Sequence, residues 1–133
     1  MTLKKFYNNK SILITGGTGS IGTQLSIYLL KNFKIKKLIL YSRDEQKHYN
    51  QKKLLNDDRV RYFIGDIRDL SRLNMAFNSV DYVIHAAAQK HVDLSEYNPH
   101  ECIKTNIYGS ENVIQASIQN KIKKCLLIST DKA

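Results

Sequence analysis

The chain has 133 residues, of which 42% are hydrophobic and 25% charged, and a formal net charge of +9. That is enough chain for one compact domain with one core, and no apolar run approaches the about 20 residues needed to span a bilayer. The stretch from Met1 to Lys10 is too polar for a secretory signal. Cys102 and Cys125 show neither CxxC nor metal-ligand spacing, which points to two reduced thiols in a cytoplasmic protein with no metal site. Pro99 is the single proline and no linker or repeat interrupts the chain, so residues 1–133 read as one domain. The charge invites a nucleic-acid reading, but its placement argues against one. The lysines cluster at Lys4, Lys5, Lys10; at Lys31, Lys34, Lys36, Lys37; and at Lys121, Lys123, Lys124. Each cluster precedes a predicted strand. In a parallel sheet those places share the edge opposite the ligand-binding strand ends, and lysines there also complement helix C-termini. A solvated basic underside is expected, with no specific nucleic-acid partner.

Taken in order, residues 11–15 form an apolar first strand, as a strand covered on both faces should be. It runs into Gly16-Gly17-Thr18-Gly19-Ser20-Ile21-Gly22, where two glycine registers overlap: Gly17, Gly19 and Gly22 fit G-x-G-x-x-G, and Gly16, Gly19 and Gly22 fit G-x-x-G-x-x-G. In either, glycines let the main chain turn tightly and approach a pyrophosphate, and the helix that follows offers its N–H groups and dipole to the anion. A strand before and a helix after is the context that gives such a pattern meaning; a tight structural turn is the alternative. A helix over 20–32 has Ile21, Leu25, Tyr28 and Leu29 on one face. The second strand is 37–41. Ser42 and Glu45 then fit a capping box for a helix over about 45–55. Strand three is 59–64, a short helix covers 70–78, strand four is 81–85, Pro99 opens a long helix over about 99–119, and strand five is 125–129. The alternation predicts an α/β, Rossmann-like doubly wound parallel sheet of about five strands in the order 3-2-1-4-5.

The ends of strands one, three, four and five should converge on one crevice. Sites for NAD place an acidic residue about 20 positions after the glycines, on the ribose 2′-hydroxyl. Here Ser42-Arg43 stands there, with Lys47 one turn on. A hydroxyl and two cations suit a 2′-phosphate and favour NADP, while Asp44 could serve a 2′-hydroxyl instead. At the end of strand three, Asp66 could accept an adenine's exocyclic amine and Ile67 could offer a backbone N–H; a turn aspartate is the alternative. Ala86, Ala87 and Ala88 place minimal side chains where strand four would meet the cofactor. Asn106 and Gly109 are poor helix formers inside the long helix, and Asn106 is expected to bond backbone across the sheet end. Ser129-Thr130-Asp131-Lys132 brings two hydroxyls, a carboxylate and an amine to the crevice, a group capable of proton transfer if burial and neighbours tune it. Lys90 and His91 lie in a loop facing the same crevice.

Thr15 to Gly22, Ser42-Arg43-Asp44-Glu45, Phe63 to Asp69, His85 to Val92, Glu96-Tyr97-Asn98-Pro99, Lys104-Thr105-Asn106 and Ser129 to Ala133 together resemble the N-terminal half of the extended short-chain dehydrogenase/reductase superfamily. Within it they resemble the NADP-dependent, inverting UDP-N-acetylglucosamine 4,6-dehydratases of polysaccharide and flagellin-sugar pathways. The resemblance covers nearly the whole chain. It implies that Gly16, Thr18, Gly19, Ser20, Ile21 and Gly22 hold the pyrophosphate. Arg43 and Lys47 would hold the 2′-phosphate, and Asp66 and Ile67 the adenine, with Ser42 and Asp44 also at the cofactor. Ala86, Ala87, Ala88, Asn106, Ser129 and Thr130 would border the cofactor, with Lys90 toward the UDP-sugar. Asp131 and Lys132 would be the acid and base of the elimination. Asp93 stands where family members carry proline, and the family's Tyr-x-x-x-Lys pair falls beyond Ala133; neither Tyr97 nor Tyr108 has a lysine four residues on. The chain is therefore expected to be the cofactor half alone, truncated before the later strands, inactive by itself, and prone to homo-oligomerise or lose stability through a bare sheet face. A UDP-sugar 4-epimerase of the same superfamily and a non-catalytic NADP-binding module are the rival readings.

Overall fold

The computed structural model describes residues 2–86 and 110–128. Its frame is a parallel sheet of β1 (Ser11–Thr15), β2 (Lys37–Ser42), β3 (Val60–Ile64), β4 (Tyr82–His85) and β5 (Lys124–Leu127), in the order β3-β2-β1-β4-β5. The helices are α1 (Leu3–Tyr7), α2 (Ser20–Asn32), α3 (Glu45–Leu55) and α4 (Leu70–Phe77), with a further helical stretch over 110–119. Strand order and helix alternation are those the sequence predicts. The order reverses at β1, so β1 and β4 part their connections there and open a crevice at their C-terminal ends.

The period-two geometry of β1 builds two core layers. Ile12 and Ile14 turn to one face, with Leu38, Leu40 and Ile84, and meet Leu29, Phe33 and Ile35. Leu13 turns to the other, with Ile39, Tyr41 and Val83, and meets Leu73, Ala76 and Phe77 of α4 and Val113 and Ala116 of the 110–119 helix. Ile12, Leu13 and Ile14 are fully buried, each contributing about 1.5–3 kcal/mol.

The structure departs from the sequence reading in several places, beyond one-residue shifts at an end of β2, β3, α4 and β4. Helix α1 was not anticipated. Thr2 caps it, accepting from Lys5 N at 3.2 Å, and Phe6 stacks on Tyr82 with ring centroids 4.4 Å apart. That stacking, and the Tyr82 hydroxyl donating to the Phe6 carbonyl at 2.8 Å, hold a helix too short to persist alone. The inward face of α2 is Gly22, Ser26 and Leu29, whereas Tyr28 is 49% exposed and Ile21 and Leu25 only half-buried. Small residues let the helix close on the sheet, and Ser26 satisfies its hydroxyl on the Gly22 carbonyl at 2.7 Å. The cap of α3 is Asp44, not Ser42: its carboxylate accepts from Lys47 N at 3.1 Å. Ser42 still belongs to β2. Finally, β5 runs over Lys124–Leu127, starting one residue and ending two residues earlier than expected.

Lys10, Lys36, Lys37, Lys123 and Lys124 do lie at the N-terminal edge of the sheet, where Lys36 N donates to Lys10 O and Lys123 N to Asp81 O. At the same edge Arg59 donates to the carbonyls of Leu30 (2.8 Å) and Phe33 (3.1 Å), closing the end of α2. On β5, Leu126 and Leu127 are 57% and 43% exposed, and Ile118 is 72% exposed.

At the crevice floor, Thr15 and His85 are register partners across β1 and β4 and share a hydrogen bond of 2.6 Å between Oγ1 and Nδ1. Both are buried, and burial pulls the His85 pKa below its ordinary value. The unfolded chain, with histidine near pKa ~6.5, therefore binds more protons than the folded one at mildly acidic pH. Stability is full above that value and falls as pH drops below it. Urea unfolding of His85→Gln should show a shallower loss of stability on acidification from about pH 6.5 than the parent; identical slopes would contradict this.

Candidate functional site

The loop between β1 and α2 is shaped by three different demands on glycine. Gly16 has φ 67°, left-handed backbone that side chains resist; its N–H donates to Tyr41 O at 2.8 Å and its carbonyl accepts from Gly19 N at 3.0 Å. A Cβ on Gly22 would stand 2.6 Å from both Gly16 O and Gly17 Cα, against backbone that cannot yield. A Cβ on Gly17 would meet Leu40 Cδ2 at 2.8 Å. The turn is therefore the Gly16, Gly19, Gly22 register, and Gly17 is a packing glycine beside it.

This arrangement leaves the start of α2 open. Gly19 is its N-cap with no side-chain cap, and no acidic residue stands in the first turn. A 13-residue helix thus presents its N-terminal N–H groups and dipole at the C-terminal edge of the sheet, the arrangement that holds a phosphate. Thr18 precedes the Gly19 cap, and Ser20 and Ile21 begin the helix, with Ser20 exposed.

The end of β2 is tied to this loop by Thr18 Oγ1 donating to Ser42 Oγ at 3.0 Å. Beyond it Arg43 carries an exposed side chain, 3.9 Å from Asp66 Oδ2, and Lys47 is exposed on the first turn of α3. The Asp44 carboxylate caps α3 through Oδ1, which leaves its second oxygen as an acceptor. The end of β3 is fixed by Tyr41. Its hydroxyl donates to Asp66 O at 2.8 Å, and a Cβ on Gly65 would run into that hydroxyl. Burial first, then Asp69 and Asp66, push the Tyr41 pKa well above the usual tyrosine range, so the phenol stays a donor. The Asp66 carboxylate accepts from the Arg68 guanidinium, at 2.9 Å from Nη2, and from Arg68 N at 2.9 Å. Those bonds hold its pKa below the usual carboxylate range. An exocyclic amine would share an acceptor that Arg68 already engages. The Ile67 side chain packs into the second core layer and its carbonyl accepts from Asn112 Nδ2 at 3.1 Å, which leaves only backbone for a ligand.

Ala86 continues β4, donating its N–H to Thr15 O at 3.0 Å. The structure thus gathers Gly16, Thr18, Gly19, Ser20, Ile21, Gly22, Ser42, Arg43, Asp66 and Ala86 at one edge. Ala87, Ala88, Lys90, Asn106, Ser129, Thr130, Asp131 and Lys132 lie outside the described residues. Among the described residues no cluster of His, Cys, Asp and Glu could hold a metal ion, and no helix is long and apolar enough to cross a membrane. Sequence reasoning missed Tyr41, the Thr15–His85 pair, and the buried His48 and Gln51 of α3. The hydropathy of α3 carries no period that would have pointed those two inward.

Among curated proteins, the chain is 57% identical over 127 residues to an inverting UDP-N-acetylglucosamine 4,6-dehydratase of Campylobacter jejuni subsp. jejuni, covering 96% of this chain and 38% of that one. It is 44% identical over 128 residues to a UDP-glucose 4-epimerase of Rickettsia prowazekii, covering 94% and 38%. Among solved structures it superposes on Pen from Bacillus thuringiensis with TM-score 0.86 and 43% identity, over 92% of this chain and 37% of that one. It also superposes on a dTDP-glucose 4,6-dehydratase from Streptomyces venezuelae solved with NAD and TYD bound, with TM-score 0.78 and 27% identity, over 86% and 38%. The chain thus spans little more than a third of these relatives' length. Residues 12–133 match the polysaccharide biosynthesis protein family, and with a match that takes in all five strands of the sheet, the chain belongs to that family.

Proposed function

We propose that this chain is the NADP-binding part of a nucleotide-sugar 4,6-dehydratase acting on UDP-N-acetylglucosamine with inversion at C5. The observation that carries the reading is the glycine cradle, in which Gly22 brings the uncapped start of α2 against Gly16 and Gly17, beside the exposed cations Arg43 and Lys47. The residues fit a dinucleotide: the cradle suits a pyrophosphate, and Ser42, Arg43 and Lys47 suit a 2′-phosphate. NAD is the competing cofactor, since the Streptomyces venezuelae relative was solved with it. Ser42, Arg43 and Lys47 favour NADP, while Asp44, which caps α3 through Oδ1, keeps a second oxygen that suits the 2′-hydroxyl of NAD. Such cofactors and nucleotide sugars belong to the cytoplasm, and we place the protein there as a homo-oligomer for which exposed Ile118 and Leu126 offer apolar contact.

The nicotinamide, when bound, supplies hydride chemistry at C4 and C6 of the sugar. A ketone at C4 acidifies the C5 proton. Lys132 would remove that proton, which requires its pKa to fall from about 10.4 through partial burial or a nearby cation. Asp131, protonated at that moment, would give its proton to the departing 6-hydroxyl, so that water leaves. Return of a proton to C5 from the opposite face inverts that centre. Lys90 would face the substrate, and Asn106, Ser129 and Thr130, with Ala87 and Ala88, would border the cofactor. The 44% identity to a UDP-glucose 4-epimerase favours a second reading, in which C4 is oxidised and re-reduced with no loss of water.

Two measurements test these proposals in the protein at its natural length. Arg43→Ala combined with Lys47→Ala should weaken NADP binding by about tenfold or more while changing NAD binding little; equal losses in calorimetry would reject the 2′-phosphate role. Turnover in heavy water should place deuterium at C5, and Lys132→Ala should abolish elimination while circular dichroism stays unchanged. A product that is only the C4 epimer, without deuterium at C5, would replace the dehydratase by the epimerase.

A further inference from the structure

Helix α3 carries two buried polar side chains one turn apart, His48 and Gln51, at 5% and 4% exposure. Neither belongs to the surface that would touch a cofactor. His48 Nε2 lies 3.0 Å from the Ser42 carbonyl; a carbonyl only accepts, so the ring donates from Nε2. Gln51 spends both N–H groups of its amide on the glycine segment. One goes to the Gly17 carbonyl at 2.8 Å and the other to Thr23 Oγ1 at 2.9 Å. Thr23 Oγ1 in turn donates to the Gly19 carbonyl at 2.7 Å. The amide orientation follows from chemistry, because only its nitrogen can donate to Gly17 O.

The consequence lies in the peptide plane. In a trans peptide the carbonyl of one residue and the N–H of the next point in opposite directions. By holding Gly17 O toward α3, Gln51 turns the Thr18 N–H away from α3 and keeps a negative carbonyl end out of the anion's place. Through Thr23 it holds Gly19 O, the carbonyl of the α2 N-cap. His48 meanwhile holds Ser42 O, and Ser42 Oγ accepts from Thr18 Oγ1. The pyrophosphate loop and the turn bearing Arg43 therefore hang on one helix, whose first turn bears Lys47.

We infer that Gln51 is a positioning residue of the dinucleotide site, setting the Gly17–Thr18 peptide for the pyrophosphate. The inference rests on the dinucleotide reading above. Because the pyrophosphate is common to both cofactors, Gln51 acts on NADP and NAD alike, unlike Arg43 and Lys47. The test uses Gln51→Met, which keeps the volume and removes both donors, in the protein at its natural length and at a temperature where circular dichroism shows every variant folded. Calorimetric dissociation constants for NADP and NAD should rise by the same factor, about tenfold, and amide hydrogen exchange over residues 16–20 should quicken without ligand. Thr23→Val, a milder change, should raise both constants a few-fold and serves if Gln51→Met does not fold. A lowered unfolding midpoint with unchanged dissociation constants, in either variant, overturns the inference alone. Parent protein that binds neither dinucleotide overturns the functional reading and the inference with it.

Discussion

The contact between Gly22 and the Gly16–Gly17 backbone is the constraint on which the rest of the molecule turns. With no Cβ at Gly22, the first turn of α2 lies against the loop that leaves β1. That approach sets the angle at which α2 crosses the sheet and therefore which of its residues face inward. Gly22, Ser26 and Leu29 follow one another along that face, and Phe33 and Ile35 beyond the helix fall into the same apolar layer as Ile12 and Ile14. The same approach leaves the helix start unblocked at the sheet's C-terminal edge. Packing and the proposed anion site thus share one geometry: the residue that lets the helix close also leaves its first N–H groups uncapped.

Polar bonds extend that fact outward. Thr18 ties the loop to Ser42, and Tyr41 fixes the Asp66 carbonyl. Strand ends that would otherwise fray are held at a common level, each bond adding about 0.5–1.5 kcal/mol. Charge is partitioned across the sheet in the same sense. The lysines gather at the strand starts, while Asp66 with Arg68 and Arg43 stands at the strand ends. The net charge of +9 is thus drawn in good part from the strand starts, away from the strand ends where Asp66 is paired with Arg68 and Arg43.

Most of the sheet was legible in the sequence, because its signals are local. An unbroken apolar run such as Ile12-Leu13-Ile14 reads as a strand buried on both faces, and Gly16 to Gly22 between that strand and a helix reads as a phosphate loop. The α/β alternation then fixes the order 3-2-1-4-5 observed here. What escaped depends on contacts distant in sequence. Helix α1 exists through Phe6 on Tyr82, 76 residues away. The inward turn of Gln51 answers the Gly17 carbonyl, 34 residues away. The choice of Asp44 over Ser42 as cap was decided by where β2 stops, which Ser42 pairing with Ile64 determines. The choice between glycine registers needed one backbone angle, the positive φ of Gly16. The roles expected of Lys90, Asp131 and Lys132 rest on the sequence and the resemblance alone, since those residues lie outside the described part of the chain.

The most direct test returns to Gly22. Adding one methyl there, as Gly22→Ala, must push α2 away from the loop, at a cost of about 1–3 kcal/mol for overpacking. Calorimetric titration with NADP should show one site per chain in the parent protein and an affinity lower by at least about tenfold in Gly22→Ala, with cooperative unfolding retained. Equal affinities in the two proteins would show that the cradle does not hold the cofactor.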